Sequence, residues 1–168
     1  MKTLKEKAKE IRGILKEKGI KASVRMSSGS AIQIYIQDLA ADYEVVREIA
    51  RSFEKIDRCE YTHEILSGGN DFVFVNYDYD VLREAAQKYS EAADQYIEEL
   101  EEGKGKYYIL VAERDGNDFM IAPDAGGATL MVNTPERQRA WTHTAHCKES
   151  LAKGLAIIDA RYNLEMIA

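Results

Sequence analysis

The hydrophobic pattern of the first half of the chain predicts a helix, two strands, a second helix and a third strand. Residues 3–18 place apolar side chains at helical spacing between lysines, and Gly19 follows as a C-terminal stop. The period then changes to two, and the Ser-Ser-Gly-Ser break at residues 27–30 predicts a hairpin. Asp42 precedes the next apolar stripe and predicts a helix N-terminus. The uninterrupted apolar run at residues 72–75 predicts a buried strand.

The pattern of the second half begins with a long helix and continues with a β-meander. Apolar side chains recur at steps of three and four over residues 81–102, which predicts one continuous helix. Three β-prone runs follow, at residues 107–113, 119–122 and 129–132. The Asp-Gly pair at residues 115–116 predicts a tight hairpin between the first two.

The end of the chain predicts a last helix. Thr134 is a suitable N-cap and Pro135 a suitable first helical residue, so the helix is expected to run from there to about residue 162. The predicted fold class is therefore α+β, with about six strands and four helices. Residues 1–80 and 81–168 are the two predicted regions, and we expect them to pack as one compact body.

Composition narrows the class of protein. With 168 residues, of which 45% are hydrophobic and 31% charged, the chain has enough apolar side chains for a sizeable core, which excludes a disordered protein. No apolar run approaches the roughly 20 residues that cross a bilayer, and no secretory stretch begins the chain. The two cysteines are too few for a disulfide scaffold, so a cytoplasmic protein without membrane contact is expected.

Charge is distributed unevenly along the chain. The net charge is -6, but residues 1–21 carry eight basic and three acidic side chains. Residues 78–102 carry two basic and nine acidic side chains, which is -7 in one segment. Proteins that bind nucleic acid normally present a basic surface, whereas an acidic ridge suits a basic surface that ordinarily holds DNA or RNA.

Two sets of candidate binding residues follow from this layout. The first is expected to bind a partner protein, through the acidic residues of the long helix and two tyrosines that precede it, because tyrosines are favoured interface anchors. Its members are Tyr77, Tyr79, Glu91, Asp94, Glu98 and Glu101. The alternative set would contact nucleic-acid phosphates from the first helix and hairpin: Lys5, Lys9, Arg12, Lys16, Lys21 and Arg25.

The sequence gives little support for a metal site or for catalytic residues. His143 and Cys147 are spaced i, i+4 in the predicted last helix, and Cys59 and His63 have the same spacing, so a composite zinc site from all four stays open. The apolar repeat nevertheless places Cys147 in the core as a buried thiol, and no metal or cofactor is predicted. Serine-hydrolase, phosphate-loop and dinucleotide-binding motifs are absent, so the protein is not expected to be an enzyme.

Two segments resemble a known family. They are SVRMSSGSAI at residues 23–32 and EILSGGNDFVFVN at residues 64–76, separated by a helix and preceded by a Lys-rich one. Together they resemble a large polyvalent protein associated domain, over residues 5–80. Such domains occur in multi-domain proteins of phages and conjugative elements. The resemblance implies a mobile-element origin and a role around invading DNA or the host defences against it, and it supplies no catalytic residues.

Charge and resemblance together give the expected function. The chain is expected to be a phage or mobile-element accessory protein that inhibits a host defence nuclease or effector, of the restriction or CRISPR type. The acidic helix would occupy the basic nucleic-acid channel of that partner, in the host cytoplasm. The alternative is a direct nucleic-acid-binding module that uses the basic first helix and hairpin.

Overall fold

A computed structural model describes residues 2–27, 31–102, 108–125, 127–136 and 138–164 of the chain. The chain divides into two compact units, unit 1 over Met1–Asp78 and unit 2 over Tyr79–Ala168. Both units combine helices with a β-sheet, which confirms the α+β class.

The described residues of unit 1 form two helices and a three-stranded sheet. Its elements are α1 (Leu4–Glu17), β1 (Ala22–Ser27), β2 (Ala31–Ile36), α2 (Tyr43–Phe53) and β3 (Phe72–Tyr77). The strand order is β1-β2-β3, with β1 antiparallel and β3 parallel to β2. The predicted order of helix, strand, strand, helix, strand is confirmed, although the proposed break residues 28–30 lie outside the described part.

Local signals explain where these helices begin and which face they bury. Thr3 and Glu6 form a reciprocal capping box at the start of α1, and the Asp42 carboxylate accepts a hydrogen bond from the Glu44 amide at the start of α2. The apolar stripes of both helices pack on one face of the sheet. The buried members of this core are Ala8, Ile11, Leu15, Val24, Ile32, Ile34, Ile36, Ala41, Val46, Ala50, Val73 and Val75.

The strand predicted at residues 72–75 is confirmed, but the expectation that it is buried holds only for alternate residues. Val73 and Val75 are buried against the helices, but Phe74 points to the other side and is 47% exposed. The reason is that β3 lies at the edge of a sheet whose two helices cover only one face, so its residues alternate between core and surface.

In the part of unit 2 that the structure describes, there are three helices and a four-stranded sheet. Its elements are α3 (Tyr79–Gln87), α4 (Ser90–Glu102), β4 (Ile109–Arg114), β5 (Asn117–Asp124), β6 (Gly127–Asn133), β7 (Arg139–Ala145) and α5 (Lys148–Tyr162). The strands pair antiparallel in the order β4-β5-β6-β7. Helix α5 packs against the sheet and also against α3 and α4, which explains why it is apolar on nearly every side.

The single long helix predicted over residues 81–102 is wrong, because the chain turns at Lys88 and Tyr89 between α3 and α4. At this turn the Tyr89 amide donates to the Ala86 carbonyl. The turn buries the Tyr89 ring in the core, where its hydroxyl donates to the Asp159 carboxylate of α5. This tertiary contact outweighs the helical propensity of the Ala- and Glu-rich sequence.

The third correction concerns the last helix, which begins at Lys148 rather than at Pro135. Residues 139–145 instead form β7, so the predicted three-stranded meander has a fourth strand. Thr134 belongs to the turn before it, where its amide and its hydroxyl both donate to the Gln138 carbonyl. Along β7, Trp141 and His143 are half-buried while the threonines between and after them are exposed. Alternation of this kind and the β-branched threonines favour a strand.

Candidate functional site

The acidic residues of α4 lie on its exposed side. Ala93 and the half-buried Tyr96 and Ile97 pack toward the core of unit 2, which turns the opposite side of the helix outward. Five carboxylates of α4 are exposed, those of Glu91, Glu98, Glu99, Glu101 and Glu102. Glu99 lies near Tyr96, whose pKa it helps to raise, and we call the other four the acidic face. Within the described residues, none of these four carboxylates forms an ion pair. Glu91, Glu98 and Glu102 follow one line along the helix at steps of seven and four residues.

Three other members of the predicted partner-binding set have different surroundings. Asp94 forms a 3.3 Å ion pair with Lys148 of α5 and is only half-exposed. The Tyr77 ring belongs to unit 1, where it packs 5.9 Å from the ring of Tyr43. Tyr79 lies in unit 2 and is 63% exposed, with the Arg83 and Lys153 cations 5.5 and 5.2 Å from its ring centroid. Asp94 therefore contributes to packing between helices, and Tyr77 to the core of unit 1.

The alternative basic set is split by the fold of unit 1. Lys5, Lys9, Arg12 and Lys16 form one exposed row along α1, at steps of four, three and four residues. Arg12 also uses its guanidinium to donate to the Val24 carbonyl at the edge of the sheet, at 2.6 Å. Lys21 is exposed just before β1. Arg25, the sixth member, lies on the sheet face opposite to α1.

That opposite sheet face, which we call the open face, is the feature that sequence reasoning did not identify. The strand register gives it nine side chains: Ser23, Arg25, Ser27, Ala31, Gln33, Tyr35, Phe72, Phe74 and Asn76. The Arg25 guanidinium lies 5.7 Å from the centroid of the Tyr35 ring, and the Phe72 and Phe74 rings stack at 6.0 Å. The sequence did contain a signal for this face, namely the residues that alternate with the buried ones along each strand. They include phenylalanines at an i, i+2 spacing.

His143 is half-buried on β7 beside the start of α5, rather than exposed on a helix. Its Nε2 lies 2.9 Å from the Ser150 carbonyl, which only accepts, so Nε2 carries the proton. The ring stacks on Trp141, with an interplanar angle of 3°. Burial lowers the pKa of His143, the hydrogen bond to Ser150 opposes that shift, and the nearby Lys153 cation adds to it. The hydrogen bond between His143 and Ser150 therefore joins β7 to the start of α5.

Cys147 is exposed, so the prediction of a buried thiol is wrong. It stands at the N-cap of α5 because the helix begins later than the apolar repeat suggested, and His143 is therefore not its helical neighbour. With His146 and Asp124 it lines a groove of about 630 Å³ between α4, the β5–β6 end of the sheet and the start of α5. Hydrogen bonds from the Thr129 hydroxyl and the Ala125 amide lower the pKa of Asp124, with a smaller contribution from His146.

The second candidate pair, Cys59 and His63, lies in the exposed turn that follows α2. The His63 amide donates to the Cys59 carbonyl, and His63 adopts a positive φ of 58°. Hydrogen bonds from Thr62, first its hydroxyl and then its amide, lower the pKa of the Cys59 thiol. Over the described ranges, no group of three or more His, Cys, Asp or Glu side chains is arranged to hold a metal ion.

Comparison of the chain with protein-family models, with curated proteins and with solved structures finds no match. Of the helices that the structure describes, none has the length and apolar character needed to span a membrane.

Proposed function

We propose that this protein acts by binding rather than by catalysis, and that its acidic face docks on the basic nucleic-acid channel of a partner protein. One observation carries the proposal: among the described residues, the carboxylates of Glu91, Glu98, Glu101 and Glu102 project from the exposed side of α4 and no cation pairs with them. Uncompensated charge of one sign attracts a surface of the opposite sign and steers the encounter.

The dimensions of the acidic face suit a groove that holds a nucleic-acid strand. From Glu91 to Glu102 the helix rises about 16 Å, at 1.5 Å per residue. A single DNA strand carries a phosphate about every 3.4 Å of duplex axis, so this length corresponds to about five phosphates. The four carboxylates of the acidic face are therefore about one fewer than the phosphates they would replace, and the exposed ring of Tyr79 is available as additional apolar contact area.

The nature of the partner is proposed from the resemblance of residues 5–80 to polyvalent protein associated domains. Mobile elements of that kind meet host enzymes that cleave foreign nucleic acid. The partner is accordingly a restriction or CRISPR-type nuclease or effector, and the inhibitor acts in the cytoplasm of the host cell. The absence of hydrolase and phosphate-loop motifs agrees with inhibition by occupancy rather than by modification of the partner.

The test is inhibition of DNA cleavage by a panel of purified restriction and CRISPR effector nucleases. The wild-type protein is expected to inhibit at least one of them. The variant Glu91→Lys/Glu98→Lys/Glu101→Lys should lose that inhibition, because repulsion replaces attraction. It leaves Asp94 and its ion pair with Lys148 intact.

A matched control carries the same change in net charge at exposed positions of unit 1, as Glu17→Lys/Glu48→Lys/Glu60→Lys. It should inhibit as well as the wild type does. Inhibition by the acidic-face variant at the wild-type level, or no inhibition of any nuclease by the wild type, would contradict the proposal.

A further inference from the structure

The open face of unit 1 has the composition of a surface that stacks bases. Both helices of the unit pack on the other side of the sheet, so the open face is bare of helices within unit 1. Three aromatic rings stand on two adjacent strands, Tyr35 on β2 and Phe72 and Phe74 on β3. Because neighbouring strands are about 4.8 Å apart, rings on β2 and β3 lie within reach of a single extended ligand.

The three rings differ in the groups that lie beside them. Phe72 and Phe74 are nearly parallel, with an interplanar angle of 16°, and Phe74 is 47% exposed. The Tyr35 ring lies under the guanidinium of Arg25, which is an exposed residue. A guanidinium is planar, stacks on aromatic rings and binds phosphate. Stacking between a base and an aromatic ring needs no particular sequence, because every base has a π-face.

The open face differs in charge from the chain as a whole, which is acidic. The chain carries 29 Asp and Glu residues, yet none of the nine side chains on this face is acidic and one of them, Arg25, is basic. Gln33 and Asn76 add amides that both donate and accept hydrogen bonds, as the edges of bases do. A purely hydrophobic partner would leave these amides and the guanidinium unpaired on binding, which is costly.

We propose that the open face binds single-stranded nucleic acid, with bases stacked on Phe74 and Tyr35 and a phosphate held by Arg25. Single strands are the form that fits, because the bases of a duplex are stacked inside it and expose only their edges. This site lies in unit 1 and takes a polyanion, so it is separate from the acidic face that the proposed function uses.

Binding here should depend weakly on salt. One phosphate contact on a single strand gives a slope of log affinity against log salt of about -0.7. Duplex binding by the basic row on α1, with several contacts at about -0.9 each, would give a much steeper slope.

The experiment is a fluorescence-anisotropy titration of a labelled oligothymidylate of about 12 nucleotides, within the usual site size of single-strand binders, and of a duplex of equal length. The wild-type chain should bind the single strand more tightly than the duplex. Phe74→Ala and Tyr35→Ala should each weaken single-strand binding by roughly fivefold to a hundredfold, the usual effect of losing one stacked base. Tyr61→Ala removes a ring that is 92% exposed and lies off the sheet, and it should leave the affinity unchanged.

Three results would overturn this assignment. They are no binding of the single strand at roughly 100 μM protein, the weak end of non-specific affinity; an affinity unchanged in both ring variants; and tighter binding of the duplex that is lost when Lys5, Lys9 and Lys16 become alanine. The last result would assign nucleic-acid binding to α1. None of them bears on nuclease inhibition, which is measured with variants of the other unit.

Discussion

At the scale of single residues, the two glycines inside helices have opposite environments. A Cβ added at Gly154 of α5 would lie 2.8 Å from Cδ2 of His143 on β7 and 3.1 Å from Cδ2 of Leu130 on β6. A Cβ added at Gly13 of α1 would meet no heavy atom within 4 Å. The first glycine is required by close packing of α5 on the sheet, and the second is not.

We therefore predict that Gly154→Ala lowers the free energy of unfolding by about 1–3 kcal/mol, the usual cost of overpacking. Gly13→Ala is the matched control and should raise it by about 0.5–1 kcal/mol, because alanine restricts the unfolded chain and favours the helix. Urea unfolding followed by circular dichroism measures both, and fluorescence of Trp141, the single tryptophan, reports on unit 2. A stabilising Gly154→Ala would refute the close packing of α5 on β7.

His143 gives a second residue-scale prediction, which concerns pH. Because burial lowers the pKa of His143 in the folded chain, the unfolded chain takes up a proton more readily than the folded chain does. The stabilising contribution of the neutral ring is complete above the unfolded pKa of about 6.5 and is lost progressively as the pH falls below it. The urea midpoint of the wild type should accordingly decrease between about pH 7 and pH 5.5.

The variant His143→Gln keeps an N–H donor for Ser150 but does not titrate, so its midpoint should change less over the same pH range. His146→Gln, at an exposed histidine nearby, is the control and should follow the wild type. Parallel pH profiles for wild type and His143→Gln would show that His143 is not the group responsible.

At the scale of elements, the turn between α3 and α4 depends on Tyr89. Burial raises the pKa of Tyr89, so its hydroxyl stays protonated and donates to the Asp159 carboxylate, which Lys88 also approaches at 3.4 Å. Tyr89→Phe removes that donor and leaves a half-buried carboxylate with one partner fewer. We expect a loss of about 1.5–3 kcal/mol of unfolding free energy, the usual range for a hydrogen bond to a charged group.

Tyr96→Phe on α4 is the matched control for this element. The Tyr96 ring also packs against the core of unit 2, but its hydroxyl makes no hydrogen bond with the residues that the structure describes. Its removal should therefore change stability by less than about 0.5 kcal/mol. If the two variants were equally stable in urea, the contact between Tyr89 and Asp159 would not explain the turn.

Elements with strong local signals were predictable from the sequence, and those decided by tertiary contacts were not. The Asp42 cap and the apolar stripes of α1 and α2 act within one or two helical turns, so the pattern locates them. The turn at Tyr89 depends on Asp159, 70 residues away, and β7 depends on pairing with β6. Thr134 and Pro135 suit a helix N-terminus and a turn equally well, so local reasoning chose the wrong one.

The candidate surfaces divide in the same way. The periodicity that buries one side of α4 also exposes the other, so Glu91, Glu98 and Glu101 were identified correctly as surface residues from sequence. The open face could not be predicted without knowing that β2 pairs with β3 in parallel. That pairing places Tyr35 and Phe74 on one face, although they are 39 residues apart in the sequence. Exposure of Cys147 was missed because it depends on where α5 begins.

At the scale of the whole molecule, the two units carry different charge and different candidate surfaces. Unit 1 has equal numbers of basic and acidic residues, so unit 2 accounts for the net charge of -6. The acidic face belongs to unit 2 and the open face to unit 1, so each surface can be altered without changing the other. We propose above all that the acidic face competes with nucleic acid for a basic protein channel.

Displacement of DNA tests that claim most directly. A fluorescently labelled duplex is bound to a nuclease that the wild-type protein inhibits, and the anisotropy of the label is followed as each variant is added. Phe74→Ala is included to remove any binding of the label by the open face. We predict that the wild type, Phe74→Ala and Glu17→Lys/Glu48→Lys/Glu60→Lys release the duplex, whereas Glu91→Lys/Glu98→Lys/Glu101→Lys does not. Two results would contradict this prediction. In one, the acidic-face variant releases the duplex at the same concentration as the wild type does; in the other, the wild type inhibits cleavage without releasing the duplex.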